Sequence, residues 1–90
     1  MKFEWDEEKN RKNVRKHGVS FETAARVFGD PNALTVCDPF EFEERWDAIG
    51  VVDCVLFVVY AERKNDVVRI ISARKATKEE INAYKNDDIG

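Results

Sequence analysis

The chain has 90 residues, 43% of them hydrophobic and 11% aromatic, which is enough for one compact core and too little for two, so a single domain over residues 1–90 is expected. The longest apolar run, Cys54 to Ala61, is far short of the roughly 20 residues that cross a bilayer, and Met1 to Asp6 lacks the apolar centre of a signal peptide; the expectation is a cytoplasmic protein with no membrane partner. The net charge of −3 speaks against a nucleic-acid partner only until the charges are placed: five bases and no acid run from Lys9 to Lys16, five bases against two acids from Glu62 to Lys75, and five acids against Arg45 alone from Asp38 to Asp47.

Phe3-Glu4-Trp5 reads as a short extended start. Asp6 is a helix N-cap signal, Glu7 and Glu8 suit the positive end of a helix dipole, Arg15, Lys16 and His17 suit the negative end, and Gly18 follows as a terminator, so a helix is predicted over residues 7–17. Ser20 caps a second helix, whose buried stripe is Phe21, Ala24, Ala25 and Phe28 and whose end is Gly29-Asp30-Pro31. The period then changes to that of strands: Ala33–Cys37, Glu43–Ile49 with Arg45 and Asp47 on a wet face, Val51–Arg63, and Val67–Arg74, the last two joined through Lys64-Asn65-Asp66. Residues 51–63 are apolar at both parities, as a central strand would be. Thr77-Lys78-Glu79-Glu80 matches the capping box of a final helix over residues 78–86. The order predicts an α+β domain with two N-terminal helices, a four-stranded antiparallel sheet and a C-terminal helix.

Cys37 and Cys54 fall in apolar, strand-like runs and read as buried structural thiols. With one histidine and no Cys-x-x-Cys there is no recognisable metal site, four scattered glycines make no phosphate loop, and no cofactor is indicated. The acids Glu41, Glu43, Glu44 and Asp47 read as a solvated strand face. The segment with Arg63, Lys64, Arg69, Arg74 and Lys75 is the candidate for an anionic partner, because guanidinium groups offer planar forks of donors at fixed charge; pairing with Glu62, Asp66 or the acidic strand is the alternative. Val68, Ile70 and Ser72 share the parity of Arg74. His17 reads as a helix-end cation or packing residue.

In their order and spacing, several short patterns resemble the BrnT family of type II toxin–antitoxin toxins: Phe3-Glu4-Trp5-Asp6 with Lys9 and Asn13, Lys16-His17-Gly18-Val19-Ser20-Phe21-Glu22, Val27-Phe28-Gly29-Asp30-Pro31, Glu44-Arg45, Ile49-Gly50, Glu62-Arg63, and Arg69 to Thr77 with Glu80 and Tyr84. Where relatives often carry two arginines, this chain has Arg74-Lys75. The resemblance implies a RelE-like fold and a metal-independent endoribonuclease. It also implies a BrnA-like antitoxin with a ribbon-helix-helix domain through which the complex binds operator DNA. On this reading RNA supplies its own 2′-hydroxyl as nucleophile. The residues then needed are Arg63, Arg74 and Lys75 for phosphate and transition-state charge, Glu62 or His17 for proton transfer, and Arg69, Lys64 and Tyr84 for holding RNA, with Tyr60 a second stacking candidate. The antitoxin is expected to cover Arg63, Arg69 and Arg74 and to leave Asp38–Asp47 outside the contact. The competing expectation is a non-catalytic RNA-binding or partner-binding domain.

Overall fold

A computed structural model of the chain describes residues 1–38 and 44–86. The elements are β1 (Lys2–Glu4), α1 (Glu7–His17), α2 (Phe21–Ala25) continued by a 3₁₀ turn (Arg26–Gly29), β2 (Leu34–Asp38), β3 (Arg45–Val52), β4 (Cys54–Arg63), β5 (Val67–Lys75) and α3 (Lys78–Asn86). The signals at the helix ends act as their chemistry suggests. The Asp6 carboxylate accepts from the amides of Glu8 and Lys9 at 2.9 and 3.1 Å, Gly18 closes α1 at φ 72°, and Ser20 Oγ accepts from the Thr23 amide. At α3 the Thr77 amide donates to Glu80 Oε1 at 2.8 Å while the Glu80 amide donates to Thr77 Oγ1 at 3.2 Å, a reciprocal capping box. The second helix tightens after Ala25. Phe21, Ala24 and Val27 are all fully buried, and a spacing of three aligns on one line only when the turn holds three residues.

The four-stranded antiparallel sheet expected from the sequence is corrected to a five-stranded mixed sheet in the order β1-β5-β4-β3-β2. The short extended start is a strand in its own right, pairing in parallel with β5 as Lys2↔Val67, Phe3↔Val68 and Glu4↔Arg69. Three residues carry too little periodicity to announce a partner. What seats them is tertiary: Phe3 packs on Phe28 with ring centroids 5.4 Å apart, the amino terminus pairs with Asp66 at 2.9 Å, and the Lys2 amide donates to the Asp66 carbonyl.

β4 is central, as its two-sided apolar sequence predicts. Leu56, Val58 and Tyr60 join Ala48, Val68, Ile70 and Ala73 under Phe21, Ala24 and Val27 to form the core. Two buried asparagines fasten α1 to it. Asn13 Nδ2 donates to the carbonyls of Val19 and Ala73 at 2.8 and 2.7 Å, and its Oδ1 accepts from the Ala73 amide at 3.3 Å. Asn10 Oδ1 accepts from the Phe21 amide and its Nδ2 donates to Glu22. The two cysteines, expected inside, are both exposed: Cys37 lies on edge strand β2, and Cys54 opens β4 beside the turn at Asp53.

Candidate active site

The sheet has two unlike faces, and a β-bulge decides which side chains share one. Pairing of β4 with β5 runs Phe57↔Arg74, Val58↔Ala73 and Val59↔Ser72, then shifts to Tyr60↔Ile70, Ala61↔Arg69 and Arg63↔Val67, leaving Ile71 as the extra residue. Side chains alternate along a strand, so without that residue Ile70 and Ala73 would face opposite sides, and so would Arg69 and Arg74. With it, Val68, Ile70 and Ala73 all enter the core while Arg69, Ser72 and Arg74 lie on the outer face. The parity count that put Val68 and Ile70 beside Arg74 is thereby corrected. Arg63, opposite Val67, is on the outer face as well.

Arg74 is held more firmly than any other arginine of the basic segment. Its Nη1 and Nη2 donate to Glu80 Oε1 and Oε2 at 2.8 and 2.9 Å, and Nη1 also donates to the Lys75 carbonyl at 3.2 Å. The guanidinium lies over the Phe57 ring, 4.2 Å from its centroid. This fork-on-fork pairing raises the pKa of Arg74 and lowers that of Glu80, each with the mutual hydrogen bonds as the largest cause. A guanidinium has five N–H donors. Three are used here, so two remain for a ligand among the described residues.

Asp47 shares that face. It stands opposite Val59 on β4 and Val36 on β2, one diagonal step from Asp38. Its Oδ1 is buried and has no hydrogen-bond partner among the described residues. Burial, a shared hydrogen bond with Asp38, and the negative charges of Asp38 and Glu80 push its pKa up to about 6, against the opposing pull of Arg74. The acidic run therefore does not behave as one solvated face: Glu44 is exposed, Asp47 is half-buried, and Glu41 and Glu43 lie outside the described residues. The sequence shows Asp47 only as one acid among five. What singles it out is its placement one diagonal step from Asp38, on the face that also carries Arg74 across β4.

The other sequence candidates are spread over the molecule. Glu62 and Arg63 line a cleft of about 240 Å³ at the hairpin end of the sheet, with Met1, Phe28, Tyr60 and Asp66, and exposed Lys64 is in the adjoining turn. Arg63 and Phe57 are six positions apart on β4, so at 3.3 Å per residue Arg63 and Arg74 are separated by roughly 20 Å along the sheet. Arg69 lies between them and pairs with Glu4 at 3.0 Å. Glu62 and Lys75 have the opposite parity to Arg63 and Arg74, being paired with Val68 and Leu56. His17 ends α1 in the helical layer, half-buried. Tyr60 is core, 5% exposed and edge-on to Phe28. The Tyr84 hydroxyl donates to Asp30 Oδ2 at 2.6 Å, which lowers the Asp30 pKa and ties α3 to the loop before β2. Among the described residues no three His, Cys, Asp or Glu side chains form a group that could hold a metal ion. No described helix is long and apolar enough to cross a membrane.

Comparison with known proteins adds a family to this geometry. The profile described as "Ribonuclease toxin, BrnT, of type II toxin-antitoxin system" matches residues 5–80. The crystal structure of the Brucella abortus ribonuclease toxin BrnT superposes with a TM-score of 0.66 at 27% identity, over 87% of this chain and 99% of that one. A search of curated proteins finds no match.

Proposed function

The chain belongs to the BrnT family of ribonuclease toxins of type II toxin–antitoxin systems, and we propose that it cleaves cytoplasmic RNA without a metal ion, at a centre built around Arg74. The observation that carries this is the preset guanidinium: Glu80 fixes its plane, Phe57 supports its face, and two N–H donors have no partner among the described residues. A phosphate diester attacked by its neighbouring 2′-hydroxyl gathers negative charge on its non-bridging oxygens, and a fork of fixed charge and orientation stabilises that charge without having to reorganise. Lys75 adds a cation at the same strand end. Arg69, Arg63 and Lys64 continue the positive line toward the hairpin, where they hold the RNA backbone rather than the scissile phosphate, because the span is too long for both duties. Glu62 and His17 sit away from the Arg74 centre, at the hairpin end and in the helical layer. Their replacement by Gln and Ala leaves the pH–rate profile unchanged on this reading.

A toxin of this type acts on RNA and is restrained by an antitoxin. We take that antitoxin to be BrnA-like, with a ribbon-helix-helix domain through which the complex binds operator DNA, and to cover the outer face where the register gathers Arg63, Arg69 and Arg74. The same register puts Asp38 and Asp47 on this face, so a partner covering it meets both signs of charge.

The test is cleavage of RNA by purified protein in EDTA. The expected products carry 2′,3′-cyclic phosphate and 5′-hydroxyl ends, and Arg74→Ala lowers turnover by about 10²-fold or more, the scale for losing one charge-stabilising donor, with RNA affinity little changed. Binding of RNA without cleavage, with or without ribosomes, would instead make this a binding module. Cleavage by Arg74→Ala at the wild-type rate would remove Arg74 from the centre.

A further inference from the structure

Two carboxyl groups set close together on one face resist ionising together, which favours a proton on one of them. Asp38 and Asp47 are such a pair, on neighbouring strands and pointing to the same face. Arg74, whose fork is held by Glu80, lies on the same face across β4, and one Asp47 carboxyl oxygen is buried with no hydrogen-bond partner among the described residues. The groups facing Asp47 from each neighbouring element are Asp38 on β2, Arg45 next on its own face of β3, Arg74 on β5 and Glu80 on α3; β4 contributes only Val59 there. The negative charges of Asp38 and Glu80 oppose ionisation of Asp47, and the positive charge of Arg74 favours it.

We propose that Asp47 is the proton donor to the leaving 5′-oxygen in the RNA cleavage centred on Arg74, with Asp38 as the residue that keeps the proton on it. The inference rests on the ribonuclease reading above. In the step, the 2′-oxygen bonds to phosphorus and its proton passes to water, the bond from phosphorus to the 5′-oxygen breaks, and the Asp47 proton moves to that oxygen. Asp47 then regains a proton from solvent, so the net change is conversion of the diester to a cyclic phosphate and a 5′-hydroxyl. Arg74 holds the charged phosphate oxygens while this happens. A donor with a pKa near the working pH is both protonated and able to release its proton.

The experiment compares wild type with Asp47→Asn, which preserves shape and hydrogen-bonding capacity toward Asp38. Single-turnover cleavage is measured from pH 5 to pH 8 on ordinary RNA and on RNA with a 5′-bridging sulfur at the scissile bond, whose thiolate departs without a proton. The wild-type to variant rate ratio on ordinary RNA is expected to be about 10²-fold at pH 5, within the range for a positioned acid, and to shrink about tenfold per pH unit above the Asp47 pKa. On the sulfur substrate the ratio is near one throughout. A ratio near one on both substrates overturns the assignment, and so does a large ratio that is the same on both or independent of pH. Wild-type protein that cuts neither substrate overturns the ribonuclease reading itself. A carboxyl-carbon NMR titration of the wild type needs no variant: Asp47 titrating near 6 supports the proposal, and titration at the ordinary aspartate value sinks it.

Discussion

Asn13→Ala is the perturbation whose cost can be worked most directly from the structure. Asn13 is 8% exposed and satisfies three buried backbone groups: the carbonyls of Val19 and Ala73 through Nδ2, and the amide of Ala73 through Oδ1. Both polar groups of Ala73 face away from β4, at a stretch of β5 that the three-residue β1 does not reach. The side-chain amide thus acts as one residue of a missing neighbouring strand. A buried polar group left without a partner costs about 1–3 kcal/mol. The Ala73 amide bond is long at 3.3 Å and a carbonyl recovers part of its loss by other contacts, so each is placed at the low end, for a total of about 3 kcal/mol. For a domain of this size that is a large part of the whole stability and lowers Tm by roughly 12–24 °C. Urea denaturation followed by far-ultraviolet circular dichroism measures it directly. Asn13→Asp should be at least as damaging at neutral pH, since it removes both donated hydrogen bonds and buries a charge. A loss below about 1 kcal/mol in Asn13→Ala would refute the reasoning, because it would mean that Ala73 and Val19 do not depend on this side chain.

Tyr84→Phe removes the 2.6 Å bond to Asp30; it is expected to cost about 1 kcal/mol by the same denaturation assay and to return the Asp30 pKa toward its ordinary value, with RNA cleavage unaffected. Arg69→Glu and Arg74→Glu are expected to weaken antitoxin capture in a pull-down; wild-type capture by both would move the neutralised surface elsewhere. Asp47 also makes stability depend on pH. Its folded pKa of about 6 exceeds the ordinary 3.8, so the folded chain binds this proton more firmly than the unfolded chain does. The stability it contributes is fully present below the unfolded value and is lost as pH rises through the folded one. Between pH 4 and pH 7 wild type should therefore lose on the order of 1 kcal/mol relative to Asp47→Asn, the shift being discounted for partial solvent screening; equal pH dependence in the two proteins would show that Asp47 titrates normally.

Helix ends were legible because their signals are local. Asp6, Gly18, Ser20 and the Thr77–Glu80 box act on amides within four residues; α1 begins and ends, and α3 begins, where those residues predict. The hairpin turn at Lys64-Asn65-Asp66 is equally local, with Asn65 and Asp66 both at positive φ. The parallel strand β1 was not legible, since its partner lies more than sixty residues away and its own sequence is too short to show a face. The exposed cysteines also depend on placement that their apolar neighbours do not show: Cys37 lies on edge strand β2, and Cys54 stands at the very start of central β4, next to the turn at Asp53.

The candidate site follows the same division, and the bulge shows why. Composition and spacing identify Arg63, Arg69 and Arg74 as guanidiniums in one basic segment, but their mutual placement depends on a single extra residue, Ile71, that no local signal marks. Strict alternation separates Arg69 from Arg74; the bulge reunites them by letting Ile70 and Ala73 both reach the core. The burial of two apolar side chains therefore decides which cations share the outer face. Asp47 is set by a longer chain of dependence still. Its neighbours Asp38, Arg74 and Glu80 come from β2, β5 and α3, and each position is fixed by a different cross-strand register or cap. An acid in an acidic run gains a distinct protonation only when tertiary pairing removes water from one of its oxygens, and that pairing is a property of the assembled sheet rather than of residues 38–47.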